Sequence, residues 1–288
     1  MKALNFEMAK IQELDLETLQ ATYKENDVYG NPLRDVYHYQ VINEILNRCN
    51  QNGLKYEIQD IFAANNNSKQ FPGVSILPQV AATHGTNAPE AHILRRVYTT
   101  IRIHDGETDE LTTNIAIAYH QDGLQVAFGT TVKICHNLCI LGAEKMVSNY
   151  GNTKISNDAI FQTVENWLFD FGRHQERDIR IIERMKSIEC TKSDVLQLIG
   201  TLTAIRVAFD NGIGEVRQRL NNYPLNQAQI SIFTESYLRF EAVNTNVSLW
   251  DVYNLGTHIY KPYTTEIPNI LPQTAVLFDV LNDSFKIV

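Results

Sequence analysis

The chain has 288 residues, with 25 Lys and Arg against 33 Asp and Glu, a formal charge of −8 and a pI near 5.5. That length can bury a core large enough to fold without staples, and the acidic balance excludes a protein that coats nucleic acid or anionic membrane with its whole surface, leaving only a local basic groove. No segment approaches the ~20 apolar residues of a bilayer span, Met1 to Gln20 is too charged for a secretory signal, and four cysteines without framework spacing read as reduced thiols. A cytoplasmic protein without disulfides, cofactor, metal or membrane partner is expected.

After the polar start, Asp35 is placed to cap a helix from Val36 to Asn50, which Gly53 ends. Lys55 to Ala63 reads as a strand, and Val74 to Val80 as a second one weakened by Pro78. Ala81 to Pro89 reads as a loop of the kind that carries binding groups. From Leu94 side chains alternate. Arg102 opposes Ile101 and Ile103, Ala116 and Ala118 oppose Ile115, Ile117 and Tyr119, and Leu124, Val126 and Phe128 repeat every second residue, the period of half-buried strands. Asp105-Gly106 and Asp122-Gly123 can supply the positive φ of tight hairpins, so the stretch to Cys139 predicts an antiparallel meander. Ile134, Leu138, Leu141 and Met146 then suggest a strand turning into a short helix.

Beyond Gly151 the pattern is helical. Ala159 to Ile188 is one long or once-broken helix with Phe161, Val164, Leu168 and Phe171 on one face, and Gly172 is the expected bend. Thr191 to Asp194 and Ser248 to Asp251 are capping boxes that open further helices, and Gln227 to Ala242 is helical between them. Pro262, Pro268 and Pro272 are expected to break up the tail before Ala275 to Leu281. The expected class is α+β, an N-terminal antiparallel meander sheet with a packing helix followed by a mostly α-helical C-terminal half. The expected domains are 1–150, with the sheet, and 151–288, the helices packed on it.

The chemistry is sparse. There is no phosphate-binding glycine loop, since Gly212-Ile213-Gly214 lacks the third glycine and a preceding strand, no His-Glu-x-x-His helix and no Gly-x-Ser-x-Gly elbow. Cys135, His136 and Cys139 cluster, and three readings stay open: buried structural thiols, part of a zinc site lacking a second pair, or a nucleophile. Arg173, Arg177, Arg180 and Arg184 recur at i, i+4, i+7 and i+11, one stripe of a helix that can follow a phosphate backbone, although Glu176 is placed to pair with Arg180. His92, Arg95, Arg96, Arg102 and His104 form a second basic group, and the nucleic-acid reading gains weight if both groups face one groove. Trp250, Tyr253 and Asn254 read either as core or as a base-stacking platform.

Two segments carry a resemblance. Val126-Ala127-Phe128-Gly129 followed by Val132-Lys133-Ile134-Cys135-His136-Asn137-Leu138-Cys139 resembles a segment of the family labelled domain of unknown function 3871. Ser248-Leu249-Trp250-Asp251-Val252-Tyr253-Asn254-Leu255-Gly256-Thr257 is similar to a second segment of that family, in matching order and spacing. A looser likeness reaches the phage/plasmid-like family labelled domain of unknown function 932. The resemblance covers roughly Val80 to Leu281. It implies that Phe128, Cys135, Asn137, Leu138, Cys139, Trp250, Tyr253 and Asn254 dock sheet on helices, that the chain comes from a phage, plasmid or integrated element, and no established reaction. The expected function is a non-enzymatic accessory role in DNA metabolism or evasion of host defence, with nucleic acid, a host protein or a second copy as partner. The alternatives are an enzyme with a loop-built site around His84, Asn87, His104 and His120, and a self-associating structural protein.

Overall fold

Strict alternation of side chains in consecutive segments, joined by short reversals, gives a ladder whose register is set residue by residue. In the computed structural model, which describes residues 12–21, 37–64, 96–120, 123–133, 137–150, 154–213, 222–260 and 267–288, that ladder is antiparallel throughout. Its strands are β1 (Gln12–Leu14), β2 (Tyr56–Ala64), β3 (Arg96–Ile103), β4 (Leu111–His120), β5 (Gly123–Val132), β6 (Asn137–Cys139) and β7 (Met146–Tyr150), in the order β1-β2-β3-β4-β5-β6 with β7 also on β5. Ile101 faces Ile115, and Ile115 faces Phe128. Gly106, at φ 68°, takes the left-handed conformation that the β3–β4 reversal requires. Gly123 does not. It opens β5 opposite His120, and its missing side chain leaves room for the Asn149 carbonyl of β7.

The strands were expected to be half-buried, but every residue of β4 and β5 is buried. Alternation here separates large from small. On one face Ile101, Ile103, Ile115, Ile117, Tyr119, Leu124, Val126 and Phe128 pack with helices α1 (Leu16–Ala21), α2 (His38–Gln51) and α3 (Lys154–Phe169). On the other, Ala116, Ala118 and Ala127 leave room for the C-terminal helices to lie close. Those are α4 (Phe171–Ser187), α5 (Lys192–Asp210), α6 (Gln227–Glu241), α7 (Leu249–Thr257) and α8 (Ile267–Phe285). The antiparallel sheet in the N-terminal half and the helical remainder make the fold α+β.

Local signals explain most helix ends. Thr191 accepts from the Asp194 amide and Ser248 from the Asp251 amide, with the carboxylates returning to the cap amides, so both capping boxes form. At α2 the cap is Tyr37, whose amide donates to the Gln40 side chain at 3.0 Å; Asp35 and Val36 lie outside the described residues, as do the Val74 to Val80 strand, the Ala81 to Pro89 loop and Asp122.

Three elements differ from expectation. The long helix after residue 154 breaks at Asp170 rather than Gly172. Where a short helix was expected, Leu138 and Cys139 pair with Thr131 and Thr130 as β6, and a 3₁₀ turn, Ala143–Lys145, leads into β7. The tail prolines do not prevent α8. Pro268 falls in its first turn, where an amide has no partner to lose. Pro272 cannot donate to the Pro268 carbonyl four residues back, and the Gln125 amide of β5 donates to that oxygen instead, at 3.0 Å.

Candidate functional site

The outer edge of β5 is shared between two short strands. β7 pairs with residues 123–127 and β6 with residues 130–132. Between them the chain runs through Gly142, at φ 125°, into the 3₁₀ turn. This notch delivers Lys145, which is 0% exposed, above the Phe128 ring at 4.9 Å. Its Nζ lies 3.2 Å from Asp178 Oδ1, also buried, and donates to His174 Nδ1 at 3.1 Å. An ammonium has no lone pair, so this contact places the imidazole proton on Nε2. Thr130 donates to Asp178 Oδ2 at 3.2 Å.

Burial pushes the pKa of Lys145 down and that of Asp178 up, each opposed by the attraction between them. His174 is lowered, first by burial and then by the ammonium beside it. One residue earlier on both elements, Glu144 of the turn meets Arg177 of α4. Glu144-Lys145 thus faces Arg177-Asp178 with the charges reversed, one pair wet and one dry. The dry pair has no solvent access, so it holds α4 against the sheet; no substrate reaches it.

On α4 the groups sort by angle, at about 100° per residue. Phe171, Asp178, Ile182 and Met185 are buried. One flank is tied to the β3–β4 reversal, with Gln175 donating to the Gly106 carbonyl at 2.8 Å and Lys186 to Glu110 at 2.7 Å. Arg173, Arg177, Arg180 and Arg184 lie on the opposite flank. Arg173, Arg180 and Arg184 are exposed, and among the described residues none of them has an ion pair. Glu176 does not pair with Arg180, and Glu183 is held by Lys186 at 3.3 Å.

Arg102 and His104 of the second basic group are engaged at the β3–β4 reversal instead. Arg102 donates to Glu107 through Nε at 2.7 Å and Nη2 at 2.9 Å, a two-point contact that uses up its fork. Lys133 and His104 converge on the same carboxylate. The Arg102 contact holds Glu107 well below the usual carboxylate range, at about 2, with Lys133 and His104 adding to it. Arg96 is half-buried at the start of β3, and Arg95 and His92 lie outside the described residues.

Of the histidines named for an enzyme site, His104 follows β3 beside the β3–β4 reversal, level with Thr112, and His120 ends β4, about 27 Å away at the strand rise. His84 and Asn87 lie outside the described residues. The motif residues are largely interior. Phe128, Cys139 and Tyr253 are fully buried, Trp250 is 5% exposed, and Leu138 packs against the same core. Tyr253 donates to the Ile140 carbonyl at 3.3 Å, joining α7 to the chain just after β6. Asn254 caps locally, its amide donating to the Trp250 carbonyl at 2.9 Å. Asn137 sits in β6 opposite Val132, and Cys135 and His136 lie outside the described residues. Cys49, Cys139 and Cys190 are buried free thiols, and burial pushes Cys49 up to about 12 and Cys190 up to about 11, which leaves both protonated. Among the described residues no group of His, Cys, Asp and Glu could hold a metal ion, and no helix is long and apolar enough to cross a membrane.

Sequence reasoning missed two residues. Nothing local marks Lys145, because its burial depends on how β5's edge is divided. Phe169 did carry a signal. It falls about 120° off the stripe of Phe161, Val164, Leu168 and Phe171 that α3 buries, and it is 82% exposed.

No family model matches the chain, and no curated protein and no solved structure matches it either.

Proposed function

We propose that the chain is a non-enzymatic accessory protein of a phage, plasmid or integrated element, acting in DNA metabolism by binding nucleic acid along the outer flank of α4. The observation that carries this reading is the stripe of Arg173, Arg180 and Arg184, exposed and free of carboxylate partners among the described residues, with Arg177 beside it. From the first to the last the stripe extends about 16 Å along the helix, enough for several successive phosphates. Three arginines held on one rigid helix present planar forks that match phosphate oxygens. The mobile-element context rests on the resemblance of the segments around Phe128 and Trp250. Arg102, committed to Glu107, is not part of the contact.

Fluorescence anisotropy with labelled oligonucleotides at low salt tests the reading. Binding is expected for the native chain, and Arg180→Glu with Arg184→Glu, which breaks no ion pair between described residues, is expected to remove most of it. Absence of binding by the native chain, or identical binding by the double variant, refutes the reading.

A further inference from the structure

We infer that the α4 stripe takes single-stranded nucleic acid in preference to duplex, with Phe169 as the platform on which one unpaired base stacks. This rests on the function proposed above and specifies its ligand.

Phe169 is the last residue of α3 and is 82% exposed, whereas its neighbours Trp167, Leu168 and Phe171 are all buried against the sheet. It touches no other ring among the described residues. The helices meet at the single residue Asp170, whose amide donates to the Asn166 carbonyl at 3.1 Å and whose carbonyl accepts from the His174 amide at 3.1 Å. Its ψ of 24° breaks the helical backbone there, yet Phe169 still lies only four residues before Arg173, at the head of the helix that carries Arg173, Arg177, Arg180 and Arg184 along one side. A bare aromatic face at the head of a row of guanidinium groups is the arrangement that single strands use, since the cations follow the phosphates and the ring receives a base. Duplex hides its base faces in the stack and cannot use the ring, so it gains only the charge contacts.

The experiment is an anisotropy titration of the full chain with a labelled oligothymidylate, with duplex DNA of the same length, and with heparin as competitor, a polyanion without bases. The native chain is expected to favour the single strand. Phe169→Ala is expected to weaken single-strand binding about tenfold and to leave duplex and heparin binding unchanged; Phe169→Trp keeps native affinity and Phe169→Leu behaves as Phe169→Ala. Because the side chain is exposed, thermal melts of all three variants should overlay the native one. Equal affinity for single strand and duplex, unchanged single-strand binding in Phe169→Ala, or full affinity in Phe169→Leu overturns the inference. If the arginine variants still lose binding in those cases, the function proposed above survives alone. If no polyanion binds the native chain, both fall.

Discussion

Lys145 shows how much one side chain can hold. It is surrounded by the Phe128 ring, Asp178 and His174 with no water-facing side. Removing one member of a buried pair strands the other charge, so Lys145→Met should lower unfolding free energy by about 3–5 kcal/mol, measured by urea denaturation. Lys145→Met with Asp178→Leu should recover most of that loss, because an apolar pair leaves no unpaired charge. Glu107 makes a prediction about pH. Its folded pKa, about 2 against 4.5 ordinarily, is depressed, so the stability it contributes is complete above pH 4.5 and lost as pH falls towards 2. Glu107→Gln should cost about 1–3 kcal/mol at neutral pH, allowing for its partial exposure, and should flatten the decline in stability below pH 4.5 in acid titration followed by circular dichroism.

At the level of elements, α8 was the least legible part of the sequence. Three prolines within eleven residues argue locally against a helix, and the compensation comes from Gln125, more than a hundred residues away in the chain. A local reading has no access to that partner. Gln125→Ala should cost about 1–3 kcal/mol by leaving the Pro268 carbonyl buried and unsatisfied. Pro272→Ala restores an amide at the right place, so the same truncation made in that background should cost clearly less, and a double-mutant cycle in urea measures the difference. By contrast, both capping boxes, the meander and the helices at 192–210 and 227–241 were visible in the sequence, because the residues that specify them are within a few positions of one another. For the candidate site the same division holds. The arginine spacing was legible as a helix stripe, while the separation of Arg102 from it was not, since that depends on which flank of α4 meets the β3–β4 reversal.

Across the whole molecule, helices on both faces turn the sheet into the middle layer of the fold, which is why its strands alternate large and small rather than apolar and polar. On a chain of net charge −8, Arg173, Arg180 and Arg184 of α4 are exposed and have no ion pair among the described residues, so the proposed function has a polyanion approach along that flank. Binding should then weaken with salt as a small number of counterions is released. For the three unpaired arginines on a single strand the slope of log affinity against log salt should be about −2, read from anisotropy at increasing sodium chloride, and Arg180→Glu should make it shallower. The divided rim of β5 has one more effect. Two brief strands cover it from opposite ends with the 3₁₀ turn between them, and the far side of the sheet ends in a strand of only three residues. Along β5, then, no uninterrupted row of vacant backbone donors and acceptors is left for a stranger's strand to zip onto, so that rim is guarded against fibre-like growth.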